Sequence, residues 1–151
     1  MKEKIAIRKK ASTDRRKKYF EVSNQFFKPL IELLNKNKIF SLSLYYPTNH
    51  EVNVLKLFDL IKTKKTKTLL PIVKDINEMN FAEWKYLDPL KVNKFGMLDP
   101  CLQKKTSIPD VMLVPLLAYD LQNNRLGYGK GFYDKYLSKF QKKKKITTIG
   151  V

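Results

Sequence analysis

Apolar side chains recur at intervals of three and four residues in two parts of the chain, which predicts two amphipathic helices. The first follows Ser12-Thr13-Asp14, a sequence suited to cap the amino end of a helix, and Pro29 is expected to kink or split it. The second is predicted from Glu51 to Ile61, and residues 2–10 predict a short basic helix. The apolar positions of the first helix are Tyr19, Val22, Phe26, Leu30 and either Leu33 or Leu34.

Between the helices, short apolar runs predict the strands of a buried sheet. Pro71 is expected in a polar turn at the end of the second run. Strands and helices alternate along the chain, and this order favours an α/β fold. The runs cover residues 38–46, Lys67 to Val73, a segment with Phe81 and Trp84, Val111 to Val114, and Lys145 to Val151.

Three of the chain's five glycines lie close together, as Gly127, Gly129 and Gly131, with Arg125 before them and Lys130 among them. Apolar residues at helical spacing follow, so the stretch predicts a glycine loop that opens into a helix. Free N–H groups and the positive end of the helix dipole suit such a loop to bind phosphate. Taken alone, this pattern also fits a flexible turn with a solvated lysine.

Length and composition limit the class of protein. A chain of 151 residues with 43% hydrophobic content is the size of one globular domain. Its single cysteine, Cys101, excludes an intramolecular disulfide and favours a reducing, cytoplasmic location. The longest apolar run, Val111 to Tyr119, is too short to span a membrane, so no membrane association is expected.

The net charge of +17 also permits a nucleic-acid-binding module. Lysine supplies 27 of the 31 basic residues, a bias typical of an AT-rich genome, so we interpret most of the charge as solvated surface. Nucleic acid is therefore kept only as an alternative partner. The same positive field would favour a small anionic substrate.

A longer string around the glycines carries a family resemblance. Val114-Pro115-Leu116-Leu117-Ala118-Tyr119-Asp120, a turn, and then Arg125-Leu126-Gly127-Tyr128-Gly129-Lys130-Gly131-Phe132-Tyr133-Asp134 resemble a signature of the 5-formyltetrahydrofolate cyclo-ligase family. That signature has the approximate form P-x-x-A-F-D, a turn, and R-L-G-x-G-x-G-Y-Y-D. Tyr119 and Phe132 each exchange one aromatic side chain for another.

The resemblance implies a single three-layer α/β/α domain over residues 1–151, with a mainly parallel sheet. It also implies a monomeric enzyme that uses ATP and Mg²⁺ to close 5-formyltetrahydrofolate to 5,10-methenyltetrahydrofolate. The formyl oxygen would be phosphorylated, and ADP and phosphate would be released. On this basis Arg125 and Lys130 are expected to be catalytic, and Asp134 to hold the metal.

The resemblance assigns the other site residues by motif. The residues expected to bind ATP are Lys4 and Arg8, which match K-x-x-x-R near the amino end, together with Arg125, Gly127, Tyr128, Gly129, Lys130, Gly131, Phe132 and Tyr133. Glu51 matches a folate-contacting glutamate, and Tyr46 could stack on the substrate. Without the resemblance, Lys4 and Arg8 would fit a solvated chain end, Glu51 and Asp134 helix-terminal acids, and Tyr46 a packing residue.

Members of the family continue beyond the last predicted strand with segments that include a second metal contact. We therefore expect the domain to be shortened or incomplete at its C-terminus, which leaves the completion of the sheet and of the metal site open. One alternative function follows from this expectation. The chain could be a degraded homologue that binds folate or nucleotide without turnover.

Overall fold

A mainly parallel five-stranded sheet forms the centre of the protein in the computed structural model, which describes residues 2–48, 50–61, 65–101 and 105–151. The sheet order is β3-β2-β1-β6-β9, and only β3, at one edge, runs antiparallel to its neighbour. This arrangement confirms the predicted α/β class. In chain order the strands of the described residues are β1 (Ser41–Ser43), β2 (Lys67–Val73), β3 (Met79–Glu83), β4 (Leu90–Val92), β5 (Leu98–Pro100), β6 (Val111–Val114), β7 (Ala118–Tyr119), β8 (Arg125–Leu126) and β9 (Thr147–Gly150).

Helices cover both faces of the sheet. They are α1 (Lys2–Lys18), α2 (Lys28–Lys36), α3 (Leu57–Ile61) and α4 (Phe132–Phe140), with short 3₁₀ turns before α2 and α3. Strand β6 shows why three layers form, because its side chains alternate between the faces. Val111 and Leu113 pack with α2 and α3, whereas Met112 and Val114 pack with α4. No helix in the described ranges is both long and apolar enough to cross a bilayer.

The amino-terminal part of the chain differs from the prediction. Helix α1 continues through Ser12-Thr13-Asp14, so these residues cap no helix. A capping preference is worth only about 1 kcal/mol, and the lysines and arginines around it favour helix. Tyr19 to Ser23 lie in neither a helix nor a strand, and α2 begins only at Lys28, with Pro29 in its first turn. Proline is tolerated there because the N–H it lacks would have no partner within the helix.

Two further predictions were wrong in detail. Glu51 precedes the helical turns, which start at Val54, because the Asn53 side chain accepts a hydrogen bond from the Leu55 N–H at 3.2 Å and begins the turn there. Pro71 lies inside β2, not in a turn. It is tolerated because the parallel ladder with β1 ends at Leu69, so the missing N–H breaks no bond to that strand.

Candidate functional site

A cavity of about 660 Å³ lies at the carboxyl ends of β1, β2 and β6. This is the edge of an open α/β sheet at which ligands bind, because the loops that follow parallel strands meet there. Every predicted site residue contributes to the walls of this one cavity. They are Lys4, Arg8, Tyr46, Glu51, Arg125, Gly127, Tyr128, Gly129, Lys130, Gly131, Phe132, Tyr133 and Asp134.

The glycine loop forms one side of the cavity, and two of its glycines need their conformational freedom. Gly129 has φ of 100° and Gly131 has φ of 71°, a region that side chains with a Cβ rarely adopt. Gly131 is also the N-cap of the nine-residue helix α4. The N–H groups of the first turn of a helix have no partner within it, and they carry the positive end of its dipole. This confirms the predicted turn from glycine loop to helix.

Arg8 reaches the loop from α1. Its Nε donates a hydrogen bond to the Gly127 carbonyl at 2.9 Å. Its guanidinium group also lies against Gly129, where an added Cβ would stand 3.4 Å from the Arg8 Cζ. The absence of a side chain at Gly129 therefore lets this cation lie directly on the loop. Lys4, about one helical turn earlier, contributes to the same wall.

Arg125 and Asp134 form an ion pair across the base of the loop. The Asp134 side chain is nevertheless 71% exposed, whereas that of Arg125 is 21% exposed. The guanidinium carbon also lies 5.7 Å from the centre of the Tyr133 ring. Burial and the charge of Glu51 raise the pKa of Tyr133, so this ring stays neutral at physiological pH. Because its side chain is largely exposed and lines the cavity, Asp134 is a carboxylate that a ligand in the cavity can approach.

Lys130 extends from the loop to the opposite wall. Its Nζ donates to the Phe95 carbonyl at 3.3 Å and lies 5.4 Å from the centre of the Phe95 ring. Phe95 belongs to the turn between β4 and β5, where the Asn93 side chain accepts hydrogen bonds from the N–H groups of Phe95 and Met97. Lys130 therefore connects the glycine loop to a fixed turn.

Glu51 lies deep on the other side of the cavity and is 7% exposed. Its Oε2 accepts hydrogen bonds from the Thr48 N–H at 2.7 Å and from the Thr48 hydroxyl at 3.3 Å. Burial, together with the charge of Glu51 and a hydrogen bond to it, raises the pKa of Tyr128, although Arg15 opposes this shift. The adjacent residues Tyr45 and Tyr46 differ in burial. Tyr46 is exposed at the cavity, whereas Tyr45 is buried and its hydroxyl donates to the Val52 carbonyl.

Sequence reasoning missed part of the cavity wall. Apolar side chains between the cation cluster and Glu51 come from β3, from the turn after β4, and from the residue after β6. The signal was present in the string Phe95-Gly-Met-Leu-Asp-Pro100, but its spacing alone does not say which surface it joins. The residues missed include Met79, Phe95, Met97 and Pro115, and also Pro71 and Val73 of β2.

One carboxylate marks the only predicted metal position. Among the described residues, no group of three or more histidine, cysteine, aspartate or glutamate side chains could enclose a metal ion. Mg²⁺ often takes just one or two protein carboxylates and completes its shell with phosphate oxygens and water. Asp134, beside the glycine loop, fits a site of this kind.

Comparison with known proteins shows which proteins this chain resembles. The model of the 5-formyltetrahydrofolate cyclo-ligase family matches residues 2–151. The 5-formyltetrahydrofolate cyclo-ligase of Haemophilus influenzae is 29% identical over 75% of this chain and 64% of its own length. The enzyme of the same name from Mycoplasma genitalium is 33% identical over 74% of this chain and 59% of its own length. The chain therefore spans less than two thirds of these curated relatives.

Solved structures show the same fold. A 5,10-methenyltetrahydrofolate synthetase from Mycoplasma pneumoniae superposes with a TM-score of 0.70 at 24% identity, over 97% of this chain and 83% of that one. The 5,10-methenyltetrahydrofolate synthetase of Aquifex aeolicus gives a TM-score of 0.68 at 30% identity, over 98% of this chain and 76% of that one. At 24% identity, the first likeness concerns the fold alone.

Proposed function

Because the chain belongs to the 5-formyltetrahydrofolate cyclo-ligase family, we propose that it closes 5-formyltetrahydrofolate to 5,10-methenyltetrahydrofolate in a reaction that uses ATP and Mg²⁺. One observation carries this proposal. A single cavity holds a glycine loop with several cations at one end and a buried carboxylate with apolar walls at the other. Two different ligands, one rich in phosphate and one aromatic, would meet in its middle. A cytoplasmic location and a monomeric state stay predictions from the sequence.

The cationic end suits ATP. Lys4, Arg8, Arg125 and Lys130 place positive charge around the glycine loop, and Arg8 lies against a glycine that leaves room for it. The N–H groups of the loop and of the first turn of α4 would donate to phosphate oxygens. In this proposal Gly127, Tyr128, Gly129 and Gly131 supply backbone contacts, while Phe132 and Tyr133 pack beneath the loop as the start of α4.

Mg²⁺ would be held by Asp134, which is exposed at the cavity and lies in the first turn of α4. A bound ion would supply positive charge beside the phosphates, which would offset their negative charge during transfer. Arg125 already pairs with Asp134, and both side chains line the cavity. The donor set fits a metal that arrives with the nucleotide.

The other end suits a reduced folate. The pterin ring carries N–H donors, and Glu51 is a buried acceptor held by Thr48. Leaving a buried donor or acceptor without a partner costs about 1–3 kcal/mol, so Glu51 would select a ligand that donates to it. Tyr46 would lie against the ring system, with Phe95 and Met97 completing the apolar wall.

The reaction then needs positioning more than a protein nucleophile. The γ-phosphoryl group of ATP passes to the formyl oxygen and ADP leaves. N10 then attacks the activated carbon and gives up its proton, and the carbon–oxygen bond breaks to release phosphate. Arg125 and Lys130 would offset the charge on the transferred group, and the loop would align it with the formyl oxygen. The phenols of Tyr128 and Tyr133 stay neutral because their pKa values are raised, so they add no negative charge to the phosphate site.

Turnover tests this proposal directly. The purified chain is mixed with 5-formyltetrahydrofolate and Mg-ATP, and the near-ultraviolet band of the methenyl product is followed. Asp59→Asn is the matched control for Asp134→Asn, since both are exposed acids in the first turn of a helix, and α3 does not line the cavity. Product from the wild type and Asp59→Asn but not from Asp134→Asn is expected.

Two other results would replace the proposal. A folded chain that binds ATP or folate without forming product would be the degraded homologue. A chain that binds nucleic acid with an affinity that falls steeply with salt, and that is indifferent to Asp134→Asn, would be the nucleic-acid-binding module.

A further inference from the structure

Helix α1 brings two predicted ATP contacts to the cavity but is weakly anchored. None of its residues is buried, and its largest apolar side chains, Ile5 and Ile7, are 59% and 43% exposed. Apolar burial, which docks most helices, therefore contributes little here. The long-range side-chain hydrogen bonds recorded for α1 come from Arg8 and Arg15. Polar contacts must hold Lys4 and Arg8 in place.

Arg15 makes the second of these attachments. One of its terminal nitrogens donates to the Tyr128 hydroxyl at 3.0 Å, and the other donates to the Leu116 carbonyl. Leu116 follows β6, and Tyr128 lies within the glycine loop, so one side chain joins α1 to two separate segments of the cavity rim. The planar fork of a guanidinium group suits two acceptors at once, which a lysine ammonium on a single stem matches poorly.

The spacing of the two arginines supports a common role. Arg8 and Arg15 are seven residues apart, about two helical turns, so they lie on one face of α1. Arg8 contacts Gly127 and Gly129, while Arg15 contacts Tyr128 between them. Helix α1 thus contacts the glycine loop at two points. Arg15 does not line the cavity, so it would not touch a ligand there.

We propose that Arg15 is a positioning residue that latches α1 onto the glycine loop, so that Lys4 and Arg8 face the phosphates of the nucleotide. This role deepens the proposed function and rests on it for the identity of the ligand. In this proposal α1 and the loop hold the phosphates between them, so docking of α1 and binding of ATP are coupled. Each must favour the other by the same free energy. ATP binding should therefore tighten the docking of α1, and loss of the latch should weaken ATP.

The docking is measured first, without turnover. Amide hydrogen exchange is followed across α1 and α4 in the wild type, Arg15→Ala and Arg16→Ala, with and without ATP. Arg16 is the matched control because it is the neighbouring arginine in the same helix and is exposed. We expect exchange in α1 to rise at least about fivefold in Arg15→Ala alone, with α4 unchanged. Equal exchange in all three proteins would overturn the latch.

Kinetics then separate positioning from general stability. Arg15→Ala should raise the KM for ATP about tenfold while kcat and the KM for 5-formyltetrahydrofolate stay within about twofold. Arg15→Lys should recover only part of this loss. Arg16→Ala should keep the KM for ATP of the wild type. An equal rise in both KM values, or faster exchange in α4 as well, would make Arg15 a general structural residue and refute the proposal. If the wild type shows no turnover, the proposed function fails. Hydrogen exchange in α1 still shows whether Arg15 holds the helix on the glycine loop.

Discussion

An aspartate lies beside a basic side chain at each end of the central sheet, and the two pairs differ in their surroundings. At the amino end, Asp110 pairs with Lys144 at 2.7 Å and accepts hydrogen bonds from the N–H groups of Phe40 and Ser41 and from the Ser41 hydroxyl. At the carboxyl end, Asp134 pairs with Arg125 but stays 71% exposed. The Asp110 side chain is 20% exposed.

This difference distinguishes a carboxylate that holds parts of the fold together from one that can bind a ligand. Burial alone would raise the pKa of Asp110, but the hydrogen bonds from Lys144, Ser41 and Phe40 outweigh it and lower that pKa. Its lone pairs are engaged by the strand ends that it joins. Asp134, in contrast, faces a cavity with room for more partners.

Asp134→Asn should abolish the proposed reaction with little effect on folding. Loss of a charge that holds the metal is expected to lower kcat/KM by at least about 100-fold, because metal-assisted charge stabilisation is worth several kcal/mol. The midpoint of urea unfolding should stay close to that of the wild type. Turnover and urea unfolding are measured on the same preparation. A variant that unfolds more easily but retains turnover would reverse the roles assigned to the two ends.

Gly129→Ala should weaken ATP binding about tenfold. The new Cβ would stand 3.4 Å from the Arg8 guanidinium carbon, and the positive φ would itself cost about 1–2 kcal/mol. Gly96→Ala is a useful comparison, since Gly96 lines the same cavity and its φ of 76° also strains an added side chain, but no atom lies within 4 Å of the added Cβ. Calorimetric titration with ATP should show the larger loss for Gly129→Ala. Equal losses would mean that contact with Arg8 is irrelevant.

Asp110→Asn should do the opposite of Asp134→Asn, lowering stability by about 1–3 kcal/mol and leaving KM values unchanged. The pH dependence has a definite sign. The pKa of the Asp110 carboxyl is lower in the folded state than its value of about 3.9 in the unfolded state. Its contribution to stability is therefore complete above about pH 3.9 and is lost as the pH falls through the pKa of the folded state. Urea unfolding at pH 6 and at pH 3 should therefore show the variant's deficit shrinking at pH 3. A deficit that grows on acidification would contradict this assignment.

The smallest effect on stability is expected from Arg125→Met. An ion pair with one largely exposed partner contributes at most about 1 kcal/mol. Lys144→Met at the other end should cost more, because Lys144 also donates to the Ile108 carbonyl at 2.7 Å. Urea unfolding of the two variants compares the pairs directly. If Arg125→Met is the more destabilising, the Arg125–Asp134 pair is structural and its proposed role with ATP is weakened.

Much of the fold was predictable because it is encoded locally. The bounds of β2 and β6 match the predicted apolar runs, and the glycine loop opens into α4 as its spacing indicated. The errors occurred where a weak local preference met a competing one. Ser12-Thr13-Asp14 could cap a helix, but nothing local shows that α1 already extends through it. The β4–β5 hairpin was missed because each of its strands has only three residues.

The family, the α/β class and the candidate site residues could be predicted without coordinates, since strand runs, helical spacing and the glycine signature are short-range patterns. How those residues meet depends on the packing of elements that are far apart in the chain. Arg8 contacts Gly127 across 119 positions of the chain, and Asp110 joins Ser41 across 69. Periodicity cannot report such contacts, because it describes one element at a time. The contacts of Arg15, Phe95 and Asp110 are of this long-range kind, so they follow from the packing of surfaces and not from any local pattern.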